Sequence, residues 1–223
     1  MTADKVSRTR LRRGANQAVD DQQLIHEIID QNLICHVGFI ADGNPVVIPT
    51  CHWRIENRLY WHSHRLGANV APNHRSEVCI TITQLDGLVL ARSAFNHSVN
   101  YLSVMAFGAA VPVTDAAEKI VILERMMDKF SPERWPTLRP VTDAELQATG
   151  VSYITLDELS CKVSRGDAED NSADIDWPVW AGVLPIYAQL GAAKPNADLH
   201  GSHSTPRPPI LAGSPSSDLS DNR

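Results

Sequence analysis

The stretch from residue 33 to residue 65 constrains the fold more than any other part of this 223-residue chain. Three runs rich in apolar and β-branched residues are separated there by two short polar turns. The first turn is Asp42-Gly43-Asn44, whose residue types tolerate the positive φ angles of hairpin loops, and the second spans residues 54–57. The pattern predicts a meander of three antiparallel strands whose side chains alternate between two faces.

The second strand of this meander carries two alternating sets of side chains. One set is Val46, Ile48, Thr50 and His52, and the other is Val47, Pro49 and Cys51. The third strand ends in residues 60–65, YWHSHR, and continues into residues 66–69, LGAN. Imidazoles, a hydroxyl, a guanidinium and a glycine are thus concentrated where a strand ends, and we expect the chemistry of the protein there.

The regions around the meander predict short strands and three helices. Asp20-Asp21 precedes a helical stripe of isoleucine and leucine, and Asp115 with Glu118 has the spacing of a capping box, as do Thr142 and Glu145. Residues 66–74 suggest one or two helical turns. Further strands are expected at residues 77–83, 88–95, 102–113, 151–156 and 160–165, with a turn at 85–87, a bend or bulge at 96–101 and a bulge or close approach at Gly108.

Six or seven short strands that follow one another without intervening helices predict a mainly β fold, an antiparallel barrel with helices packed outside. The expected organisation is a flexible basic arm at residues 1–19, the barrel domain at 20–190 and a disordered tail at 191–223, where Ser, Pro, Gly and Asp dominate.

The composition of the chain argues against some classes of binding partner. The net charge of −6 argues against nucleic acid, and there is no apolar run of the roughly 20 residues that a membrane span needs. The N-terminus lacks the apolar region of a signal peptide, and the four cysteines form no CxxC pair, so we expect a cytoplasmic protein with reduced thiols.

The residues themselves leave the chemistry of the strand end open. His62 and His64 face the same side of a strand and could hold a metal together with His52. They could equally be ordinary hydrogen-bonded histidines. A third reading is an anion and ring site, in which Ser63, Arg65 and the backbone near Gly67 bind a phosphate.

The sequence also leaves the roles of two later segments open. Ser98, Asn100, Tyr101 and Ser103 place polar groups within apolar strands, which suits either a barrel corner or the lining of a ligand site. Trp177 and Trp180 fit a subunit interface, a lid over a planar ligand or core packing. The dinucleotide fingerprint GxGxxG, the P-loop, GxSxG and HExxH are all absent from the sequence.

Four ordered segments resemble the pyridoxamine 5′-phosphate oxidase-like flavoproteins, in the branch related to the 5-nitroimidazole reductases. They are GNPVVIPTCHW, RLYWHSHRLGANV, LDGLVLARSAFNHSVNYLSVMAFGAAVPV and SCKVSRGD…DWPVWAGVLP, between residues 10 and 188. The resemblance implies an FMN-binding split barrel, a six-stranded antiparallel Greek-key barrel that forms a homodimer with FMN at the interface.

The resemblance also implies a set of site residues. FMN would be contacted by Pro49, Thr50, Cys51, His62, Ser63, His64, Arg65, Gly67, Asn69, Tyr101, Ser103 and Trp180. His62, which would lie beside the flavin, is the candidate for proton delivery in catalysis. One position departs from the family: relatives commonly read NYRSV where this chain has Leu102, so a charge that could serve the phosphate or a buried pair is missing.

The function expected from this resemblance is an FMN-dependent oxidoreductase that passes hydride or electrons from a reduced nicotinamide to a small electron-poor acceptor, nitro compounds among them. A non-catalytic flavin module or carrier is the first alternative. The second is a haem protein with His62, His64 or His52 as axial ligand, and the deazaflavin F420 is a further cofactor of related barrels.

Overall fold

Within the described residues, nine strands form one antiparallel sheet that curls into a half-open barrel, and three helices pack around it. The computed structural model describes residues 8–11, 14–64, 76–201 and 203–211, with only the backbone of Ser63 and His64. The helices α1 to α3 are Gln22–Gln31, Ala116–Phe130 and Asp143–Ala148. The strands β1 to β9 are Ile34–Ala41, Asn44–Ile55, Arg58–His64, Glu77–Leu90, Ser98–Ala109, Val111–Pro112, Thr149–Thr155, Leu159–Ser164 and Gly182–Pro185.

The predicted meander is confirmed as β1, β2 and β3. Asp42 and Gly43 have φ angles of 49° and 78°, which a tight hairpin turn requires, and they bring Ala41 opposite Asn44. Glu56 has a φ of 50° in the second turn, between β2 and β3. The complete sheet has the order β6-β7-β3-β2-β1-β4-β5-β8, with β9 attached to β4.

The predicted turn at residues 85–87 is wrong. β4 runs without a break from Glu77 to Leu90, and the irregularity between Leu85 and Gly87 is a shift of register against β5. Gly87 serves a close approach, because a Cβ there would lie 3.0 Å from the carbonyl oxygen of Leu184 on β9. The bend expected at 96–101 is also shorter than predicted: a 3-10 turn covers Ala94–Asn96, and β5 begins at Ser98.

Two apolar clusters hold the domain together. The larger fills the barrel, where α1 closes one end with Ile25, Ile28 and Ile29. The smaller lies between β2, β3 and β7 on one side and α2 and α3 on the other, around Trp53 and Tyr60. The mainly β split-barrel fold is therefore confirmed.

The helix starts follow the predicted caps. Asp21 accepts hydrogen bonds from the amides of Gln23 and Leu24, and Asp115 accepts one from the amide of Glu118. At α3 both arms of the capping box form between Thr142 and Glu145. Among the helices that the structure describes, none combines the length and apolar character needed to cross a bilayer.

The described parts of the arm and the tail touch the barrel domain. Arg8 pairs with Glu77 and Glu158 across the sheet, and the amide of Val19 donates to the carbonyl oxygen of Cys161. In the tail, the hydroxyl of Ser131 donates to the carbonyl oxygen of Arg207 at 2.8 Å.

Candidate functional site

The candidate site begins at the pairing of β2 with β3. His52 pairs with Trp61 and Trp53 with Tyr60, and beyond Trp61 the strand β3 continues along β7, where His62 pairs with Val151. The hydroxyl of Thr50 donates to the carbonyl oxygen of His62 at 3.1 Å. The structure thus brings Thr50 into contact with His62, and Cys51 follows Thr50 on β2.

His62 and Trp53 form the polar centre of this site. Their rings meet edge to face with centroids 6.2 Å apart. Nδ1 of His62 and Nε1 of Trp53 are both buried, and neither has a hydrogen-bond partner among the described residues. Buried polar atoms are rarely left unpaired in native proteins. The two nitrogens therefore indicate a partner that the described chain does not supply.

Pro49 and Cys51 lie on the outward face of the sheet. Pro49 pairs with His36, His36 with Thr81 and Thr81 with Met105, so side chains in this row share one face across four strands. The opposite face, which carries Val46 and Ile48, packs into the barrel core.

Tyr101 and Ser103 belong to the same outward face, since they alternate with Met105 along β5. Three strand spacings separate β5 from β2, about 14 Å at the usual distance between strands. Lys162, on the neighbouring strand, pairs with Ser103 and holds its Nζ 5.4 Å from the centre of the Tyr101 ring. The predicted residues therefore form two groups on one face.

Leu102, the position that departs from the family pattern, points the other way. Its side chain is 2% exposed and lies in the barrel core. A charge at this position would face the core and not the outward group of Tyr101 and Ser103.

Several predicted site residues lie beyond what the structure describes. Arg65, Gly67 and Asn69, and the helical turns expected at 66–74, fall outside the described residues. Ser63 and His64 are described by their backbone, which pairs with Gly150 and Thr149 on β7.

Trp180 is exposed to 61% just before β9, and Trp177 to 63%. A Cβ at Gly182 would lie 3.0 Å from the Trp180 ring, so the missing side chain lets this ring lie against the chain. Core packing, one of the three readings of these tryptophans, is therefore wrong within the described chain.

His52 is excluded from the outward site. It is fully buried on the inner face, with Nε2 2.9 Å from the carbonyl oxygen of Ile29 and 3.2 Å from Nζ of Lys129. Burial, and next the charge of Lys129, lowers the pKa of His52 to about 3, and burial lowers the pKa of Lys129 to about 8. A neutral histidine bonded to a helix end supports neither a metal site with His62 nor axial ligation of a haem.

Sequence reasoning missed His36. It is exposed on the outward face beside Pro49, at the rim of a recess of about 390 Å³ between the start of β1, residues 83–85 of β4 and residues 186–188. The register imposed by the turn at Asp42-Gly43 already places His36 opposite Pro49, so the hairpin pattern could have found it.

Comparison with known proteins identifies the family. Residues 21–163 match the pyridoxamine 5′-phosphate oxidase family profile. The chain belongs to the pyridoxamine 5′-phosphate oxidase family. A search of curated protein sequences finds no match.

Three solved structures show which members of the pyridoxamine 5′-phosphate oxidase family this chain resembles. The flavocytochrome Anf3 from Azotobacter vinelandii is 37% identical, with 89% of this chain and 93% of that chain covered and a TM-score of 0.85. An FAD and haem binding protein from Mycobacterium smegmatis is 28% identical, with coverages of 85% and 94% and a TM-score of 0.80. A protein described as conferring 5-nitroimidazole antibiotic resistance, from Bacteroides thetaiotaomicron, is 27% identical, with coverages of 66% and 86% and a TM-score of 0.54.

The donors of the site suit the flavin of this oxidase family. A flavin ring presents carbonyl oxygens and ring nitrogens along its edge, and the unpaired nitrogens of His62 and Trp53 are of the type that bonds such groups. On the same outward face, Pro49 is exposed and Cys51 is half-buried.

Proposed function

We propose that this protein is a flavin-binding oxidoreductase that passes electrons or hydride from a reduced nicotinamide to a small electron-poor acceptor. The observation that carries the proposal is a pair of buried nitrogens, Nδ1 of His62 and Nε1 of Trp53, that have no hydrogen-bond partner among the described residues. Membership of the pyridoxamine 5′-phosphate oxidase family and the flavoprotein names of its relatives support the same conclusion.

Each residue of the site has a distinct task in this proposal. Bound flavin supplies the redox chemistry, and the protein orients and tunes it. The backbone of Pro49, Thr50 and Cys51 would lie along the ring, and the Thr50 hydroxyl fixes the end of β3 by donating to the His62 carbonyl oxygen. His62 would exchange a proton at the ring edge, because an imidazole nitrogen can either donate or accept a proton.

The other residues expected from the family resemblance would complete the cofactor site. Ser63, His64, Arg65, Gly67 and Asn69 would contact the ribityl chain and the phosphate, and Lys162 would add positive charge to the outward face near Tyr101 and Ser103. FMN is the minimal ligand of such a site. FAD carries the same ring and phosphate and is named for the relative from Mycobacterium smegmatis.

A haem beside the flavin is the second candidate, with the haem as the acceptor of electrons within the protein. Two observations favour it: a flavocytochrome and an FAD and haem binding protein match the chain over 85% or more of its length, and His36 stands at an apolar recess on the outward face. His36, His62 and His64 are the candidate axial ligands.

The protein acts as a homodimer in this proposal, with the flavin at the subunit interface. Several large apolar side chains are exposed on the outward face. Exposed on the outward side of the sheet are Ile34, Ile40, Val47 and Leu85. Large apolar patches of this kind mark interaction sites.

Anaerobic mixing of the purified protein with reduced nicotinamide tests the proposal. Rapid bleaching of the flavin, followed by reoxidation with a nitro compound, is expected. His62→Ala should slow the turnover by about tenfold or more, since positioned acid–base groups contribute at least that much. His97→Ala is the matched control, because His97 is an exposed loop histidine that contacts only the Ser93 carbonyl group.

Two results would count against this proposal. Slow bleaching of the unaltered protein, with loss of the flavin on dilution, would mean a carrier. Full turnover of His62→Ala would remove His62 from proton delivery.

A further inference from the structure

A second cavity lies between the 3-10 turn Trp135–Thr137, which follows α2, and residues 193–199 and 203–206. Its volume is about 590 Å³, within the usual range for sites of small ligands. It is lined by Arg134, Thr137, Lys194, Leu199, His203 and Ser204, with Ala193, Pro195, Thr205 and Pro206.

Arginine and lysine supply the charged side chains among the residues that line this cavity. Arg134 and Lys194 line it, and no carboxylate does. Among the described residues, neither side chain has an ion-pair partner, whereas Arg139 is paired with Glu145 and Arg207 with Glu133. In a chain with a net charge of −6, two unpaired cations in a cavity free of carboxylates point to an anionic ligand.

The other groups that line the cavity indicate which class of anion it would bind. The hydroxyls of Ser204 and Thr205 are suited to phosphate oxygens, and the guanidinium of Arg134 matches phosphate in geometry and stacks on flat rings. Pro195, Leu199 and Pro206 provide apolar walls on which a base can lie. Phosphate together with a flat base describes an adenine nucleotide.

The cavity borders the smaller apolar cluster: Trp135, next to Arg134, packs in the cluster that contains Trp53. Most of the lining residues lie beyond residue 163, where the family match ends, whereas Arg134 and Thr137 lie within it.

We propose that this cavity binds the adenosine diphosphate half of a redox dinucleotide. This inference rests on the proposed flavin function. The adenosine diphosphate group belongs either to FAD or to the reduced nicotinamide dinucleotide, and both present the same phosphates and base.

Titration calorimetry with adenosine diphosphate tests the binding itself. The double variant Arg134→Gln/Lys194→Gln should raise the dissociation constant about tenfold or more, since two charge-assisted contacts to phosphate are lost. Arg10→Gln/Arg125→Gln removes the same charge from exposed positions outside the cavity and should leave the constant unchanged. Equal dissociation constants for both double variants and the unaltered protein would overturn the proposal.

Two further measurements distinguish the source of the nucleotide. If it is FAD, the cavity variant loses FAD affinity relative to FMN. If it is the nicotinamide dinucleotide, KM for the reduced nicotinamide rises while kcat and flavin content stay unchanged. A protein that binds adenosine diphosphate through Arg134 and Lys194 but takes no flavin would contradict the proposed function and not the cavity. If the protein binds flavin but its dissociation constant for adenosine diphosphate does not change when these two residues are replaced, the cavity proposal alone would be contradicted.

Discussion

At the scale of single residues, His52 and His62 show how the strand register decides the role of a side chain. His52 lies on the inner face, bonded to the end of α1 and next to Lys129, and His62 lies on the outward face with Nδ1 unpaired. The alternation of β2 predicts that His52 shares a face with Ile48. It does not predict Lys129, 77 positions away, because that contact depends on how α2 packs.

The buried His52 makes a prediction about pH. Its folded pKa of about 3 lies below the ordinary value of 6.5, so the unfolded chain binds a proton first as the pH falls. The contribution of His52 to the free energy of unfolding is therefore fully present above about pH 6.5. Between pH 6 and 4 the free energy of unfolding should decline by up to about 1.4 kcal/mol per pH unit.

Urea denaturation at several pH values measures this slope, with His52→Gln as the comparison. The variant keeps an amide donor for the Ile29 carbonyl oxygen and has no imidazole to protonate, so its stability should vary less over the same range. Parallel curves for the two proteins would show that His52 does not titrate in this way.

At the scale of elements, glycines mark close approaches as well as turns. Gly43 makes the turn that the sequence predicted, whereas Gly87 and Gly108 lie within strands. The sequence of residues 85–87 reads as a turn because Asp and Gly favour turns. Only the arrival of β9, a strand of four residues after a long loop, explains why Gly87 is needed there.

Gly108→Ala tests the close approach of β5 and β7. The new Cβ would lie 3.3 Å from Cβ of Ile154, which is fully buried, so both strands must shift slightly. We expect a loss of about 1 kcal/mol in the free energy of unfolding. Gly191→Ala is the control, since nothing lies within 4 Å of its Cβ position.

Thermal and urea denaturation of these two glycine variants give the comparison. Relief of the loss by Ile154→Val in the same chain would assign it to this contact. An unchanged stability of Gly108→Ala would mean that the strands yield without cost.

At the scale of the whole molecule, the fold was largely predictable and the site only in part. Period-two alternation, hairpin turns and helix caps predict the barrel, because each is a local signal. The contact of Thr50 with His62 follows from the pairing of β2 with β3, whereas the location of Tyr101 and Ser103 relative to them depends on β1 and β4 lying between. Trp53, which carries an unpaired nitrogen of the site, gave no signal beyond being apolar.

The outward face makes a prediction about assembly. Val47 is 65% exposed on this face, so Val47→Glu should place a charge in the proposed dimer interface and shift the protein to the monomer with loss of flavin. Sedimentation velocity measures the change. Val121→Glu, on the exposed side of α2, is the control. A monomeric unaltered protein, or a dimer that tolerates Val47→Glu, would contradict this interface.

The most direct test of the central claim is an absorption spectrum of the protein as purified, with the mass of the ligand released by heat. We predict the two visible flavin bands near about 375 and 450 nm, since the bound cofactor brings its own chromophore, and a released mass of FMN or FAD. A Soret band in addition would establish the haem. A colourless protein that also fails to bind added FMN and FAD would contradict the flavin function while leaving the barrel intact.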